Sequence, residues 1–179
     1  MWLYDKEKQA MVQKEIAFTP GLYKTYDEIL VDDANNKVLD PTINCIKIDI
    51  KAGENLIRIW NSGAGIPVVH HRVEKVFVPS LIFGHLLASS NYDDTEQKVT
   101  GGRNGFGAKL CNIFSRKLVV EISSKEHKKC FKQTWIDNMT KTSEPQITAS
   151  AGEDFTCISF DSDLARFGLT EVVCLNSVP

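Results

Sequence analysis

The spacing of hydrophobic positions changes along the chain, and each change marks an element. Residues 15–19 read as a first strand. Pro20 then stands where a helix can begin, because its missing N–H costs nothing in a first turn. Thr19, just before it, is of the N-capping type. From residue 21 to about residue 39 the period is helical, with Leu22, Tyr26, Ile29, Leu30 and Ala34 on one apolar stripe. At 44–50 the period drops to two. Ile46, Ile48 and Ile50 alternate with Cys45, Lys47 and Asp49, which predicts a half-buried strand. Residues 52–55 form a turn and 56–60 alternate again, so a hairpin is expected.

The second half reads differently. Residues 61–67 are a glycine-containing loop that closes on Pro67. Residues 79–88 predict a short apolar helix, 89–104 a long polar loop, and 105–114 another helix. Strands follow at 118–123, 129–136 and 155–160, with a turn-like link at 138–143 and a helical turn at 163–167. There is no internal repeat and no low-complexity segment. Helices early and strands late favour a layered α/β or α+β sandwich with a mixed sheet.

Composition narrows the classes. The chain has 179 residues, 42% hydrophobic and 25% charged, as a globular domain would. That excludes collagenous, coiled-coil and wholly disordered chains. No uncharged apolar run approaches the roughly 18 residues a membrane helix needs, and the charged start lacks the apolar segment of a secretory signal. The net charge of −2 argues against a main phosphate-backbone-binding surface on this chain. Five cysteines (Cys45, Cys111, Cys130, Cys157, Cys174) have no CxxC spacing and form no zinc pattern with the histidines. Reduced, mostly buried thiols are expected.

Three constellations could carry chemistry. Glu28, Asp32 and Asn36 are spaced by four and stack on one helix face, flanked by Asp27 and Asn35. By spacing this is either a solvated acidic face or a Mg²⁺ and general-base face. Asn61, at a strand end before Gly63 and Gly65, can both donate to and accept from the edge of a purine base; an ordinary turn is the plain alternative. Between Gly101 and Gly107 four of seven residues are glycine, and Lys109 follows at the start of a helix. Free N–H groups and a helix dipole there favour an anion, although the spacing is neither a Walker A loop nor a dinucleotide fingerprint. Ser89-Ser90-Asn91, Thr156 and His70-His71 are each unremarkable alone.

Together the stretches resemble the ATPase region of eukaryotic type II DNA topoisomerases, of the GHKL superfamily. The matching stretches are Thr19-Pro20-Gly21-Leu22-Tyr23-Lys24, Asp27-Glu28-Ile29-Leu30-Val31, Gly65-Ile66-Pro67-Val68-Val69, residues 86–94, residues 98–115, Phe131-Lys132-Gln133-Thr134-Trp135 and Gly152-Glu153-Asp154-Phe155-Thr156. The resemblance implies a Bergerat fold: a two-layer sandwich whose mixed, largely antiparallel sheet is covered by helices, with ATP and Mg²⁺ bound beneath a lid. It implies that Glu28 is the general base and that Asp32 takes the place of a Mg²⁺-ligating asparagine. Asn61 would contact adenine, with Thr156 in support. Ser89, Ser90 and Asn91 would contact ribose and phosphate. Gly102, Arg103, Asn104, Gly105, Phe106, Gly107, Ala108 and Lys109 would form the lid around the triphosphate. Asn36, Gly65 and Ile66 complete the implied ATP-binding set.

The resemblance carries wider expectations. It implies a nuclear, DNA-binding isomerase that changes DNA topology by double-strand passage and works as a homodimer, with no membrane association. Residues 1–170 would be the ATPase domain and 171–179 a divergent tail. The transducer and DNA-cleavage domains are expected to lie outside these residues, so DNA would be met through them and the 179 residues alone would turn over ATP weakly or not at all. The family helix usually reads Glu-Ile-Leu-Val-Asn-Ala-Ala-Asp-Asn. Here Asp32 replaces an asparagine, Asp33 an alanine and Asn35 an aspartate. A second class of function is therefore weighed: a degenerate, truncated paralogue that binds nucleotide or partners without productive turnover.

Overall fold

The computed structural model describes residues 2–5, 7–13, 15, 18–85 and 106–170. Nine strands and three α-helices carry the architecture of these residues. They are β1 (Trp2–Asp5), β2 (Ala10–Gln13), α1 (Pro20–Leu39), β3 (Ile46–Lys51), β4 (Leu56–Ser62), α2 (Val78–Gly84), α3 (Gly107–Ile113), β5 (Ser115–Ser124), β6 (Lys129–Ile136), β7 (Lys141–Thr142), β8 (Gln146–Ala149) and β9 (Phe155–Ser162). β1 and β2 make a separate hairpin. The other seven strands form one sheet in the order β3-β4-β9-β5-β6-β7, with β8 also on β6. Every pairing among the described strands is antiparallel.

Alternation decides which face of the sheet the helices cover. Ile57, Ile59 and Asn61 of β4, Thr156, Ile158 and Phe160 of β9, Leu118, Val120 and Ile122 of β5, and Phe131, Gln133 and Trp135 of β6 are all buried. With period two they lie on one face. Ile29 of α1, Phe83 of α2, and Ala108 and Cys111 of α3 join them in one core. Polar bonds knit the layers. Ser80 donates to Gln133 Oε1 at 2.6 Å, and Asn112 Nδ2 donates to the Phe83 carbonyl at 2.8 Å. Each satisfies a group whose burial would otherwise cost about 1–3 kcal/mol.

Several sequence expectations shift. Glu15, Phe18 and Thr19 lie in no strand; the N-terminal strands are the hairpin of β1 and β2. Its short, polar-interrupted segments carry little periodic signal. α1 begins at Pro20 as expected, but the Thr19 side chain makes no capping bond. The apolar stripe of α1 is also rotated. Thr25, Ile29 and Asp33 are the buried row, while Ala34 is exposed. β3 keeps its alternation, yet Ile46, Ile48 and Ile50 are 37–41% exposed. It is an edge strand, and among the described residues its side chains are not covered as those of the inner strands are. α2 ends at Gly84, and α3 is shorter than residues 105–114. Gln146–Ala149 was read as part of no element and forms β8.

Candidate functional site

Helix α1 presents two polar rows. Positions 25, 29 and 33 face the sheet, and positions 28, 32 and 36 lie beside them. Asp33 therefore enters the core one residue from Asp32, only 3% exposed. Asn61 meets it from the sheet, with Thr156 beside Asn61. They are direct partners in the β4–β9 ladder, so their side chains share a face. Asn61 Nδ2 donates to Asp33 Oδ1 at 2.8 Å.

Three polar atoms of this floor are buried and have no hydrogen-bond partner among the described residues: Asp33 Oδ2, Asn61 Oδ1 and Thr156 Oγ1. Native interiors pair nearly all such atoms. Burial pushes the Asp33 carboxyl up to about 7; the Asn61 hydrogen bond opposes this, and the charge of Asp32 adds to it.

The loop after β4 closes over Thr156. Gly65 adopts φ +60°, the left-handed region open to glycine. A Cβ there would sit 2.5 Å from Thr156 Oγ1. No side-chain-bearing residue fits that spot without displacing the hydroxyl. Ala64 N donates to Asp40 Oδ2 at 3.0 Å. With the Thr42 hydroxyl and N–H, that contact holds the Asp40 carboxyl below its usual range. Ile66 is half-buried against the core.

The outer row of α1 faces α3 and its own first turns. Glu28 is ion-paired to Lys24 at 2.6 Å across one turn. Lys24 also bridges Asp27 at 3.0 Å, and these two partners raise its pKa. Gly107 lies so close that a Cβ would collide with the Glu28 carboxylate. Glycine at that position is what lets α3 approach α1. Burial lifts Asp32 to about 6, and the Glu28 carboxylate adds to it, while the charges of Lys109 and Lys24 pull the other way. Lys109 is 2% exposed. Its pKa is lowered by burial and partly restored by Asp32.

The structure therefore brings together Glu28, Asp32, Gly107 and Lys109 on one side, and Asn61, Gly65 and Thr156 on the other. Ala108 is buried in the core beside Lys109, and Phe106 is 44% exposed at the start of α3. Asn36 is half-buried on the last turns of α1, where its carbonyl accepts from Asp40 N at 2.7 Å. Ser89, Ser90, Asn91, Gly102, Arg103, Asn104 and Gly105 lie outside the described residues. Among the described residues no group of three or more His, Cys, Asp or Glu side chains could hold a metal. Sequence reasoning missed two participants as site residues, Asp33 and Lys24. Asp33 is four residues from Ile29, and that spacing places it on the buried row.

The chain is 62% identical over 167 residues to chicken (Gallus gallus) DNA topoisomerase 2-beta, which covers 93% of this chain and 10% of that protein. It is 59% identical over 172 residues to human (Homo sapiens) DNA topoisomerase 2-beta, 96% of this chain and 10% of that one. The solved ATPase region of Saccharomyces cerevisiae topoisomerase II superposes with a TM-score of 0.93 at 46% identity, covering 97% of this chain and 46% of that one. The chain belongs to the eukaryotic topoisomerase II ATPase family. No family model matches. The 43K ATPase domain of Thermus thermophilus gyrase B, at 20% identity and a TM-score of 0.65, shares the fold. The chain spans about a tenth of the length of the curated relatives it matches. Among the described residues no helix is long and apolar enough to cross a membrane.

Proposed function

We propose that this chain is an Mg-ATP-binding and hydrolysing module that serves DNA strand passage in a longer, dimeric, nuclear protein. The observation that carries the reading is the buried floor of Asp33, Asn61 and Thr156. Its unpartnered oxygens suit a ligand edge that is itself polar, as a purine is. Asn61 and Thr156 receive the base, and Gly65 leaves room for the Thr156 hydroxyl.

The charged row supplies the chemistry at the other end of the ligand. The Glu28 carboxylate accepts a proton from, and orients, an attacking water. Its ion pair with Lys24 fixes the side chain along α1. Asp32 is the carboxylate that would hold Mg²⁺, with Asn36 one turn on; a single carboxylate suffices because magnesium keeps waters and phosphate oxygens. When bound, the metal neutralises charge on the phosphates. Lys109 adds a buried positive charge on the phosphate side, and the family resemblance assigns ribose and phosphate contacts to residues 89–91 and 102–107.

A second reading is favoured by one observation. Asp32 and Asp33 place two carboxylates in succession where burial raises both. A chain so loaded could bind nucleotide without turning it over. A titration with ATP in Mg²⁺, read by calorimetry, tests the first reading, with phosphate release followed in parallel. Saturable binding with slow phosphate release, lost in Glu28→Ala while binding persists, supports it. Binding with no release in either protein supports the second reading. Absence of binding defeats both.

A further inference from the structure

The seven-stranded sheet ends differently on its two sides. On one side β6 carries β7, of two residues, and β8, of four, so that edge is broken into short pieces. On the other side β3 runs six residues in unbroken register with β4 and contains no proline. An unbroken edge is a template for another strand unless charge, proline or a bulge spoils it. β3 does carry charge, in a pattern that fits one partner.

The backbone sets which groups are open. Ser62 N donates to the Cys45 carbonyl at 3.0 Å, one step beyond the Ile46–Asn61 pair. Bonded pairs alternate along an antiparallel ladder. Lys47, Asp49 and Lys51 therefore turn their N–H and C=O groups to β4. Ile46, Ile48 and Ile50 turn theirs outward, and among the described residues no strand pairs with them. The same three isoleucines lie on the face of Asn61, Ile59 and Ile57, their β4 partners, and remain partly exposed. The opposite face carries Lys47 and Asp49. Lys47 lies over the Trp60 ring at 4.8 Å. Asp49 is 3.8 Å from Arg58, and its side chain is 62% exposed.

The run Ile46-Lys47-Ile48-Asp49-Ile50 is complementary to its own reverse. Laid antiparallel about Ile48, Ile46 meets Ile50 of a second copy, Ile48 meets its own counterpart, and Lys47 meets Asp49 on both sides of the axis. The isoleucine pairs are those with open backbone groups, so they take the hydrogen-bonded positions of the new ladder. The Lys–Asp pairs fall between them, where side chains approach most closely. Other registers fail. A shift of one residue sends the two isoleucine rows to opposite faces. A shift of two sets Asp49 against Asp49, or Lys47 against Lys47, and like charges directly opposite repel.

We infer that β3 is a self-pairing edge, on which two copies of the chain join antiparallel about Ile48 into one continuous sheet, with Lys47 and Asp49 fixing the register. The pairing uses no group of the nucleotide site and needs nothing outside these 179 residues. A single strand pair buries less than the roughly 1,200 Å² of a stable complex, so this dimer is weak and depends on concentration.

Sedimentation equilibrium of the 179-residue chain without nucleotide, from micromolar to near-millimolar concentration, tests this. The parent mass should climb from 20.1 kDa toward twice that value. Asp49→Lys sets lysine against Lys47 on both sides of the axis. It should weaken association by about tenfold or more, because two pairs change from attraction to repulsion. Lys47→Asp combined with Asp49→Lys exchanges the charges and should bring association back to within about threefold of the parent. Ile48→Lys places two like charges on the axis and should abolish association. Thermal melts accompany each protein, and the charge exchange keeps the test decisive should Ile48→Lys fold poorly. A parent that stays at 20.1 kDa throughout overturns the inference. So does a dimer that Asp49→Lys leaves intact, or one that the charge exchange fails to restore.

Discussion

The two polar rows of α1 solve the same problem in opposite ways. On the outer row charges are matched: Glu28 lies against Lys24, and Asp32 feels Lys109 and Lys24. On the inner row Asp33 reaches one amide and leaves an oxygen open, and Asn61 and Thr156 of the sheet beneath it each leave one open as well. One residue, about 100° around the helix, thus separates groups held by neighbours from groups that still need a partner. Matched charges beside partial exposure suit a row that handles water and phosphate. Unpartnered oxygens in a dry floor suit a row that reads a base. The difference teaches that spacing along a helix and not residue type assigns the work, since both rows contain aspartate.

The comparison can be broken most sharply at Glu28. Glu28→Ala should lower phosphate release by about 100-fold or more, the usual range for a lost general base, and leave ATP affinity within a few-fold. A parallel loss of affinity would mean the outer row also carries binding. Ile29, in the middle of the inner row, should govern stability. Ile29→Ala should cost about 2–5 kcal/mol by urea denaturation, as for other fully buried side chains, and a cost under 1 kcal/mol would show that α1 is not seated on the sheet.

Asp33 gives a pH signature. Its folded value of about 7 lies above the ordinary 3.8, so between those values the folded chain holds more proton than the unfolded one. Stability should then fall as pH rises from about 4 to about 7 and level off above, by as much as about 4 kcal/mol. Denaturation in EDTA across that window measures it. Asp33→Ala should flatten most of the slope and leave the shallower contribution of Asp32. A slope of opposite sign would place the carboxyl in a polar, solvated setting.

The smallest expected effect is at Asp32. A unit negative charge about 4 Å from a phosphate oxygen costs about 4 kcal/mol at an effective dielectric of about 20 and about 1 kcal/mol in water, and the Lys109 and Lys24 charges beside Asp32 offset it towards the lower figure. Asp32→Asn should therefore bind ATP several-fold better without added Mg²⁺ and approach the parent as Mg²⁺ rises. Superimposable curves for the two proteins would remove Asp32 from the phosphate end.

How much of this was legible in the sequence depended on the element. β4, β5, β6 and β9 announce themselves because central strands bury every second side chain. α1 was found with its proline start, but its buried row was turned by about one position, because Thr25 and Asp33 are polar and a hydrophobic count skips them. The hairpin of β1 and β2 was missed, since both strands are short and mostly exposed. Glu28, Asp32, Asn61 and Lys109 stand out by spacing and side-chain chemistry, and the family resemblance supplies their roles and that of Thr156. The role of Asp33 was not, because only the fold brings it against Asn61, 28 residues away.

The account stands on ATP seated over Asn61 and Thr156, and one titration tests this most directly. ATP is titrated in Mg²⁺ into the 179-residue chain and into Asn61→Leu, with thermal melts confirming that both are folded. The parent should bind one ATP saturably, and Asn61→Leu should bind at least about tenfold more weakly, the loss expected when a buried polar contact is left unpaired. Equal affinity in two folded proteins, or no binding by the parent, would contradict it.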